Sequence, residues 1–479
     1  MKNKYLSCVL LLSTLLFACK TNQINTSQIN KSIQQQYPLK ADTGQSNLPP
    51  WQKVFADQSL IALIDTALRK NFEVRKALQK IEMAKAGVRF HRGIRLPELE
   101  ATVNFGQRKF GDYTMDGVGN YDTQFSPNIN EKQRIPNPLP EYYAGLQASW
   151  EIDLWGKLKN RKKGAAAKFL ANKYGKDLIV TDLIAEIASK YFELISLDNT
   201  INILTDNIAL QQDALDIVLI QKQTGKANEL AVELMRAQLL NSKTILTEVK
   251  QQHITCESHL NYLCGGYPSS IKRDTSAFLS NKMMNKISAG IPSALLANRP
   301  DIKQAEMELV SSNANVNAAK AAFYPSLNIN AMIGLQSFNA MLLLEAPASM
   351  AYQTMGGLIA PLLNRRRLKA ELMLANAEKQ EAYINYEKTV VNSFTEVYNA
   401  MHAINNLQSM YETKQEEVDV LKQSISTSNE LFKAGRANYM ELIMAQKNAL
   451  LSQLELVQYN KQQHIAMVNL YRALGGGWK

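Results

Sequence analysis

Three residues near the middle of the chain have the types and spacing of metal ligands. His253, Cys256 and His259 recur at every third position of a helical run, and imidazole nitrogen and thiolate sulfur are ligands that zinc prefers. No fourth ligand is evident, and helices that pack against one another also carry such residues on their contact faces. We therefore interpret the three as helix-packing residues and predict no metal site and no cofactor.

The four cysteines fall into two groups by position. Cys8 and Cys19 lie in or at the end of an apolar leader, whereas Cys256 and Cys264 lie in a helical run. Eight residues of helix separate that second pair, a rise of ~12 Å. Two Cα atoms joined by a disulfide lie within ~7 Å of each other. We expect both of these thiols to be free.

The N-terminus has the pattern of a secretory signal peptide. Two lysines precede an apolar segment from Leu6 to Ala18, which is too short to span a membrane. The segment ends in Leu16-Phe17-Ala18-Cys19, which resembles a bacterial lipobox, although a leader cut elsewhere would leave this cysteine incidental. We predict a signal peptide over residues 1–18 and acylation of Cys19. Residues 19–50 are polar and without an apolar period, so they form a lipidated tether.

The composition argues against catalysis and against nucleic-acid binding. The net charge is +11, but lysines and arginines are spread among acidic residues, and the basic clusters Asn160–Lys163 and Arg365–Lys369 are short. No basic face with aromatic residues is evident. The chain also lacks a glycine-rich phosphate loop, a Ser/His/Asp spacing and a Cys-x-x-Cys pair. We predict that it is not an enzyme.

One helix–proline–strand unit occurs twice in the chain. Pro325 lies 228 positions after Pro97, and Gly334 lies 228 positions after Gly106. The register holds without a gap over residues 73–106. We interpret this pattern as an internal duplication. Residues 51–292 then contain the first repeat and a linker, and residues 293–479 contain the second repeat.

Four segments alternate between apolar and polar residues, which predicts strands. The first begins after Pro97, and the others are Tyr142–Ile152, Ser326–Phe338 and Met350–Ala360. Each has ~10 residues, the length of a tilted membrane-spanning strand. The segment Gly111–Pro140, rich in glycine, asparagine and proline, is predicted to be a long loop.

Two proline-free stretches predict very long helices. Lys157–Gln223 and Leu362–Phe432 are each followed by a glycine turn and a return helix. The first would extend ~100 Å at 1.5 Å per residue, which is typical of coiled coils. The two turns read alike, as Thr-Gly-Lys-Ala-Asn and Ala-Gly-Arg-Ala-Asn. Glycine suits the left-handed position that ends a helix.

Four amphipathic strands cannot close a barrel by themselves. A bilayer core offers no water to unpaired backbone groups, so an open sheet edge is excluded there. Several chains must therefore pool their strands, and three chains would supply twelve. The number three does not follow from the periodicity.

Several motifs resemble the TolC-like outer membrane factor family, in its lipoprotein branch. Leu295–Ile302 resembles the family signature Leu-Leu-x-Arg-Arg-Pro-Asp-Ile, with Asn298 in place of one arginine. Trp150–Leu158 resembles Trp-Glu-Leu-Asp-Leu-Phe-Gly-Arg-Leu. The segments Phe323–Leu327, Lys433–Gln446 and Ala473–Trp478 match as well. The chain departs from the family at Pro361–Arg365, where two glycines are missing.

The resemblance implies an α+β membrane protein with two internal repeats per chain. A homotrimer would form a twelve-stranded outer-membrane β-barrel continuous with a long periplasmic α-helical barrel. The implied function is the outer-membrane exit duct of a tripartite efflux system, which passively conducts what an inner-membrane pump and a periplasmic adaptor deliver. An exit duct for type I protein secretion and a non-conducting trimeric periplasmic coiled-coil scaffold are the alternatives. The transported substrate cannot be inferred from the sequence.

The resemblance also implies functional sites at the two helix turns. In the family such tips meet the adaptor, and the corresponding residues here are Thr224, Gly225, Lys226, Ala227, Gly435, Arg436, Ala437 and Asn438. Glu441 matches an acidic position that lines the narrow periplasmic entrance of related channels, where three carboxylates would favour cations. A second acidic position of the family corresponds to Met444 here.

Overall fold

The computed structural model describes residues 48–273 and 294–478. The predicted signal peptide, Cys19, nearly all of the predicted tether and most of the predicted linker lie outside these residues. The helices are α1 Trp51–Val54, α2 Gln58–Lys70, α3 Phe72–Gly93, α4 Met115–Asp122, α5 Lys157–Gln223, α6 Glu229–Leu263, α7 Ala294–Asn298, α8 Pro300–Ala321, α9 Arg365–Lys433 and α10 Tyr439–Ala473. The strands are β1 Glu98–Arg108, β2 Leu139–Ile152, β3 Ser326–Ser337 and β4 Met350–Ile359.

The described residues form two compact units, and each takes residues from both halves of the chain. The sheet unit contains Met83–Phe169 and Glu308–Tyr383. Of the described residues, the helical unit contains 48–82, 170–273, 294–307 and 384–478. Within residues 48–273 and 294–478, none of the helices combines the length and the hydropathy of a membrane-crossing helix.

The sheet unit contains one antiparallel sheet with the strand order β1-β2-β3-β4. All four strands lie where the alternation predicted them, within a few residues at each end. Apolar residues face one another across the whole sheet, as in the row Ala101, Leu146, Ile333 and Tyr352. The register therefore places the apolar positions on one face and the polar positions on the other.

The apolar face of this sheet is exposed to an unusual degree. Val103 is 78% exposed, Phe105 is 86% exposed and Tyr352 is 81% exposed. Apolar patches of this extent on a protein surface indicate contact with a membrane or with another chain. The opposite face carries polar residues such as Glu100, which pairs in register with Gln147.

The segment predicted as a loop between β1 and β2 contains ordered structure. It includes the helix α4 and a single 3₁₀ turn at Glu131–Gln133. The Thr114 hydroxyl accepts a hydrogen bond from the Gly117 backbone N–H at 3.1 Å and so begins α4. The prediction of an irregular loop was wrong here, because eight residues with two glycines give too weak a helical period to recognise.

The core of the helical unit joins the N-terminal helices to the long helices. Tyr191, Phe192 and Ile187 of α5 are fully buried against α1, α2, α6 and α10. Burial of each such side chain contributes about 1.5–3 kcal/mol. The helix α2 begins at Asp57, whose carboxylate accepts a hydrogen bond from the Ser59 backbone N–H at 2.7 Å.

A buried arginine holds the second half of the helical unit together. The Arg299 guanidinium is only 6% exposed and pairs with Asp301 at 2.7 Å and with Glu396 of α9 at 2.8 Å. It also donates to the backbone carbonyl of Ala473, the last residue of α10. The signature motif that contains Arg299 therefore has a structural role, because it ties three helices together through one paired charge.

Gly145 and Gly334 face each other across β2 and β3, and the two backbones lie close together there. A Cβ atom on Gly145 would lie 2.4 Å from the Ile333 carbonyl oxygen and 2.6 Å from the Tyr143 hydroxyl. That hydroxyl donates across the strands to Ile333 at 3.3 Å. By contrast, a Cβ atom on Gly106, on the same face of β1, would meet nothing within 4 Å.

We predict that Gly145→Ala destabilises the sheet by about 1–3 kcal/mol, because the added methyl group overpacks the contact between β2 and β3. The matched control Gly106→Ala changes stability by no more than about 0.5 kcal/mol. Thermal unfolding of the detergent-extracted protein and its heat-dependent mobility on gels measure both variants. Equal unfolding temperatures for the two variants would contradict this account of the glycine pair.

Candidate functional site

The first tip is a tight turn between α5 and α6. The Gly225 N–H donates to the Lys222 carbonyl at 3.0 Å, and the Lys226 N–H donates to the Gln221 carbonyl at 2.8 Å. This pair of bonds is the Schellman motif, which requires a left-handed residue at its glycine position. Gly225 has φ +72°. The Asn228 side chain then accepts from the Ala231 N–H at 3.0 Å and begins α6.

The second tip repeats this geometry between α9 and α10. The Gly435 N–H donates to the Phe432 carbonyl, and the Arg436 N–H donates to the Leu431 carbonyl. Gly435 has φ +67°. The Asn438 side chain accepts from the Glu441 N–H at 3.0 Å. The likeness of the two turn sequences therefore corresponds to one hydrogen-bond pattern formed twice.

The two tips share one hydrophobic cluster within the helical unit. Phe432 and Leu442 of the second hairpin are buried in the same cluster as Val218 and Met235 of the first. Ala227 and Ala437, at the same position of each turn, are partly buried against it. The sequence did not predict this contact, because the residues of the two hairpins lie far apart in the chain. The tips consequently present their outer residues side by side.

The outward side chains of the tips are basic and apolar. Lys226 and Arg436 are exposed, as are Thr224, Gly225 and Gly435. Leu230 is 53% exposed and Met440 is 45% exposed, and each is the second residue of its return helix. We did not predict these two apolar residues as part of the site, although their matched positions after each turn were a readable signal.

Glu441 is part of a capping box at the start of α10. Its carboxylate accepts a hydrogen bond from the Asn438 backbone N–H at 2.9 Å, while the Asn438 side chain accepts from the Glu441 N–H. The spacing Asn-x-x-Glu was a readable sign of this arrangement. The corresponding residue of the first tip is Ala231, so only the second tip holds a carboxylate in this position. Glu441 remains exposed.

The three candidate metal ligands do not point to a common centre. His253 Nε2 lies 3.1 Å from the Asp198 carboxylate, and His259 Nε2 lies 3.0 Å from the Glu186 carboxylate. Cys256 donates to the Lys190 carbonyl. Among residues 48–273 and 294–478, no group of three or more histidine, cysteine or acidic residues is arranged to hold a metal ion.

Each of these histidines instead links α6 to α5. The Asp198 carboxylate also binds the Arg273 guanidinium, which pairs in turn with Glu257 at 3.1 Å. Cys256 and Cys264 are both free, as predicted, and both are buried. Burial raises the pKa of Cys256 to about 12 and that of Cys264 to about 11. Both thiols are therefore protonated and unreactive at neutral pH.

The sequence of this chain is similar to a known protein family and to several of its members. The family model described as outer membrane efflux protein matches residues 63–266 and 291–476. The pyoverdine export outer membrane protein OpmQ of Pseudomonas putida is 27% identical over 472 residues, which cover 98% of this chain and 97% of that protein. The cation efflux system protein CusC of Escherichia coli is 27% identical over 429 residues, covering 90% of this chain and 88% of that protein.

The fold is also similar to that of a solved structure. A crystal structure of CusC, from work on folding and transmembrane channel formation, superposes with a TM-score of 0.79 at 25% sequence identity. The superposition covers 92% of this chain and 97% of that chain.

We predict that Asn438→Ala frays the first turn of α10, because it removes the acceptor for the Glu441 N–H. The loss of such a cap costs about 1 kcal/mol, so hydrogen exchange of the amides at the start of α10 speeds up roughly fivefold. Asn438→Asp retains an acceptor and keeps the protection. Unchanged exchange in Asn438→Ala would show that the side chain of this asparagine does not hold the tip.

Proposed function

The chain belongs to the outer membrane efflux protein family, and we propose that it is the outer-membrane exit duct of a tripartite efflux system. The observation that carries this proposal is the open sheet with an exposed apolar face and a polar opposite face. Such a sheet suits a bilayer on one side and water on the other. The long paired helices with matched tips suit a periplasmic extension that meets a partner.

In this proposal three chains pool their sheets into a twelve-stranded barrel. The outer edges of β1 and β4 carry backbone donors and acceptors that a bilayer cannot satisfy, so each edge pairs with a neighbouring copy. The helical units of the three copies form an α-helical barrel across the periplasm. The common order of helix, strand, strand, long helix and return helix in both halves supports an internal duplication, with the first repeat in residues 51–292 and the second in residues 293–479.

The anchor belongs to the same proposal. A signal peptide over residues 1–18 is removed, Cys19 is acylated, and residues 19–50 tether the lipid to the folded chain. Several acyl chains are sufficient for stable attachment to a membrane. The anchor and the barrel together place the duct in the outer membrane and its helices in the periplasm.

The tips are the proposed docking site for a periplasmic adaptor, which links the duct to an inner-membrane pump. The supporting features are two turns with the same hydrogen-bond pattern, packed on one cluster, with the exposed cations Lys226 and Arg436 and the exposed apolar residues Leu230 and Met440. Charged and apolar residues in such an arrangement suit a protein interface with a polar rim. The duct supplies no catalysis, and the pump supplies the energy.

The relatives do not identify the substrate of this chain. One relative is named for pyoverdine export and another for cation efflux, and both are 27% identical to this chain. Because the chain is equally similar to proteins named for such different solutes, their names give no basis for choosing one, and in our proposal the pump and the adaptor select the substrate. A protein-secretion duct remains the alternative within the same architecture. A scaffold without conductance is less compatible with the exposed apolar face, because it requires no membrane-facing strands.

We predict that the double variant Lys226→Glu/Arg436→Glu reduces efflux by roughly tenfold or more, because the new carboxylates would face the acidic partner surface that the two cations suit, and like charges at an interface cost several kcal/mol. A deletion strain of the native host identifies the compounds that accumulate without the duct, and complementation with each variant measures efflux of those compounds. The control Lys388→Glu/Lys422→Glu reverses two exposed charges within α9 and restores efflux. Full efflux with the tip variant at normal abundance would exclude these side chains from docking.

We predict that Glu441→Gln lowers the cation selectivity of the pore, because a ring of three carboxylates attracts cations. Glutamine preserves the capping box, so the tip geometry is unchanged. Reversal potentials in planar bilayers under a salt gradient measure the selectivity, with Glu229→Gln at the first tip as the control. An unchanged reversal potential would remove Glu441 from the entrance, and the absence of any pore in the wild-type protein would contradict the duct itself.

A further inference from the structure

The helix α4 attaches to the sheet unit by its polar side. It lies in the segment that joins β1 to β2, at the end of the sheet opposite to the end where α5 and α9 begin. Asn120 of α4 is buried, and its side-chain amide donates to the Pro136 carbonyl at 3.3 Å. The side-chain amide of Gln124, just beyond α4, donates to the Ile135 carbonyl at 2.6 Å. Polar side chains therefore fix this helix to the segment that follows it.

The apolar side of α4 is turned away from the chain. We call it the α4 face, and it consists of Met115, Val118, Tyr121 and Phe125. Met115 is 87% exposed and Phe125 is 70% exposed, and the other two side chains are exposed as well. The Tyr121 and Phe125 rings contact each other with their centroids 5.0 Å apart. A helix on a protein surface usually has its apolar side inward, so this reversed orientation indicates that something else covers the α4 face.

A second exposed apolar surface lies in the turn between β3 and β4. We call the residues Met341–Leu344 the leucine loop, since Met341 is followed by three leucines. Met341 is 86% exposed and Leu344 is 80% exposed. The next residue, Glu345, pairs with Lys132 at 2.9 Å and so fixes this turn to the β1–β2 segment of the same chain. That ion pair leaves Met341 and Leu344 uncovered.

The strand order places these two surfaces on opposite edges of the sheet. The order is β1-β2-β3-β4 and each neighbouring pair is antiparallel, so β1 and β4 run in opposite directions. Met115 follows the last residue of β1, Arg108, by seven positions, and Leu344 precedes the first residue of β4, Met350, by six positions. When β1 of one copy pairs with β4 of the next, the α4 face of the first copy adjoins the leucine loop of the second.

The charges around α4 favour another copy of the chain over lipid as the covering surface. Asp112, Asp116 and Asp122 are exposed, and none of them forms an ion pair within residues 48–273 and 294–478. Phosphate groups at a membrane surface would repel these three carboxylates. The leucine loop is uncharged, and the neighbouring Glu345 is already paired with Lys132.

We propose that the α4 face binds the leucine loop of a neighbouring copy. The inference rests on the proposed function, because it requires the copies to pair through β1 and β4. Each chain has one surface of each kind on opposite edges, so a head-to-tail ring of copies covers all of them. The contact forms a collar around the mouth of the duct and joins the copies there in addition to the strand edges.

The test uses two variants of the full-length protein that are expressed together. Val118→Cys carries an affinity tag and Leu344→Cys carries none, and isolated outer membranes are treated with a short bifunctional maleimide. A covalent dimer of one tagged and one untagged chain then arises only between copies. The buried thiols of Cys256 and Cys264 do not react with the reagent.

We expect this mixed dimer to form, because the two new thiols lie in one contact. The matched pair Val118→Cys and Lys369→Cys gives none, since exposed Lys369 lies in α9 at the other end of the sheet. Neither Val118→Cys nor Leu344→Cys gives a dimer when it is expressed alone.

A charge on the α4 face provides a second measurement. We expect Val118→Asp to lower the temperature at which the oligomer dissociates on gels by several degrees, because the carboxylate enters an apolar contact. The control Asn128→Asp adds the same charge at an exposed residue of the same segment and leaves that temperature unchanged. Equal dissociation temperatures for the two variants would contradict the contact.

The remaining outcomes separate this inference from the proposed function. Intact oligomers without the mixed dimer would overturn the collar and leave the duct unaffected. Val118→Trp in phosphatidylcholine vesicles tests lipid directly. If acyl chains brominated near the headgroup quench its added fluorescence, lipid rather than a neighbouring copy covers the α4 face. Absence of any oligomer from outer membranes would contradict the proposed duct itself.

Discussion

The architecture depends on one constraint: the backbone N–H and C=O groups on the outer edges of β1 and β4 need hydrogen-bond partners. Inside the sheet every strand pairs in continuous register, from Glu98 opposite Ser149 to Ser326 opposite Ile359. In water an edge strand finds partners in the solvent, but a bilayer core provides none. If the exposed apolar face lies against lipid, as we propose, the edges require other strands. In the proposed duct a single chain is then an incomplete structural unit, and association of copies completes it.

Within the helical unit, a buried charge fixes how the long helices align with one another. Long helices in water need something to fix their register, because apolar contacts alone permit sliding. Arg299 joins the start of α8 to α9 and to the end of α10 through Asp301, Glu396 and the Ala473 carbonyl. The C-terminal residues strengthen this junction, since the Trp478 indole donates to the Asn298 carbonyl at 2.9 Å. Two segments that are far apart in sequence, both part of family motifs, therefore serve one packing arrangement.

Most of the secondary structure could be predicted because its signals are local. Proline at positions 97 and 325 separates helix from strand, and the alternation of residues identifies four strands. The absence of proline from Lys157 to Gln223 indicates the long helix α5, and the glycine turn at Gly225 indicates where it ends. Helix α4 and the burial of Phe432 with Val218 in one cluster were not predicted. The first depends on a cap at Thr114 in a glycine-rich segment, and the second depends on a contact between hairpins that no local period encodes. Cys19 lies outside the described residues, so its acylation remains a prediction.

Glu441 illustrates how a structural role and a functional role combine in one residue. The sequence analysis assigned its carboxylate to the periplasmic entrance, which stays a prediction, and the structure adds a capping role for the same carboxylate. The hydrogen bond to the Asn438 N–H holds the carboxylate at the start of α10, where the helix macrodipole also favours negative charge. A charge held by the backbone in this way loses less side-chain entropy when it acts on a passing ion. Since Ala231 occupies the matching position of the first tip, three chains would present three such carboxylates rather than six. The capping interaction that begins the helix would then also set the number and the position of the charges at the proposed entrance.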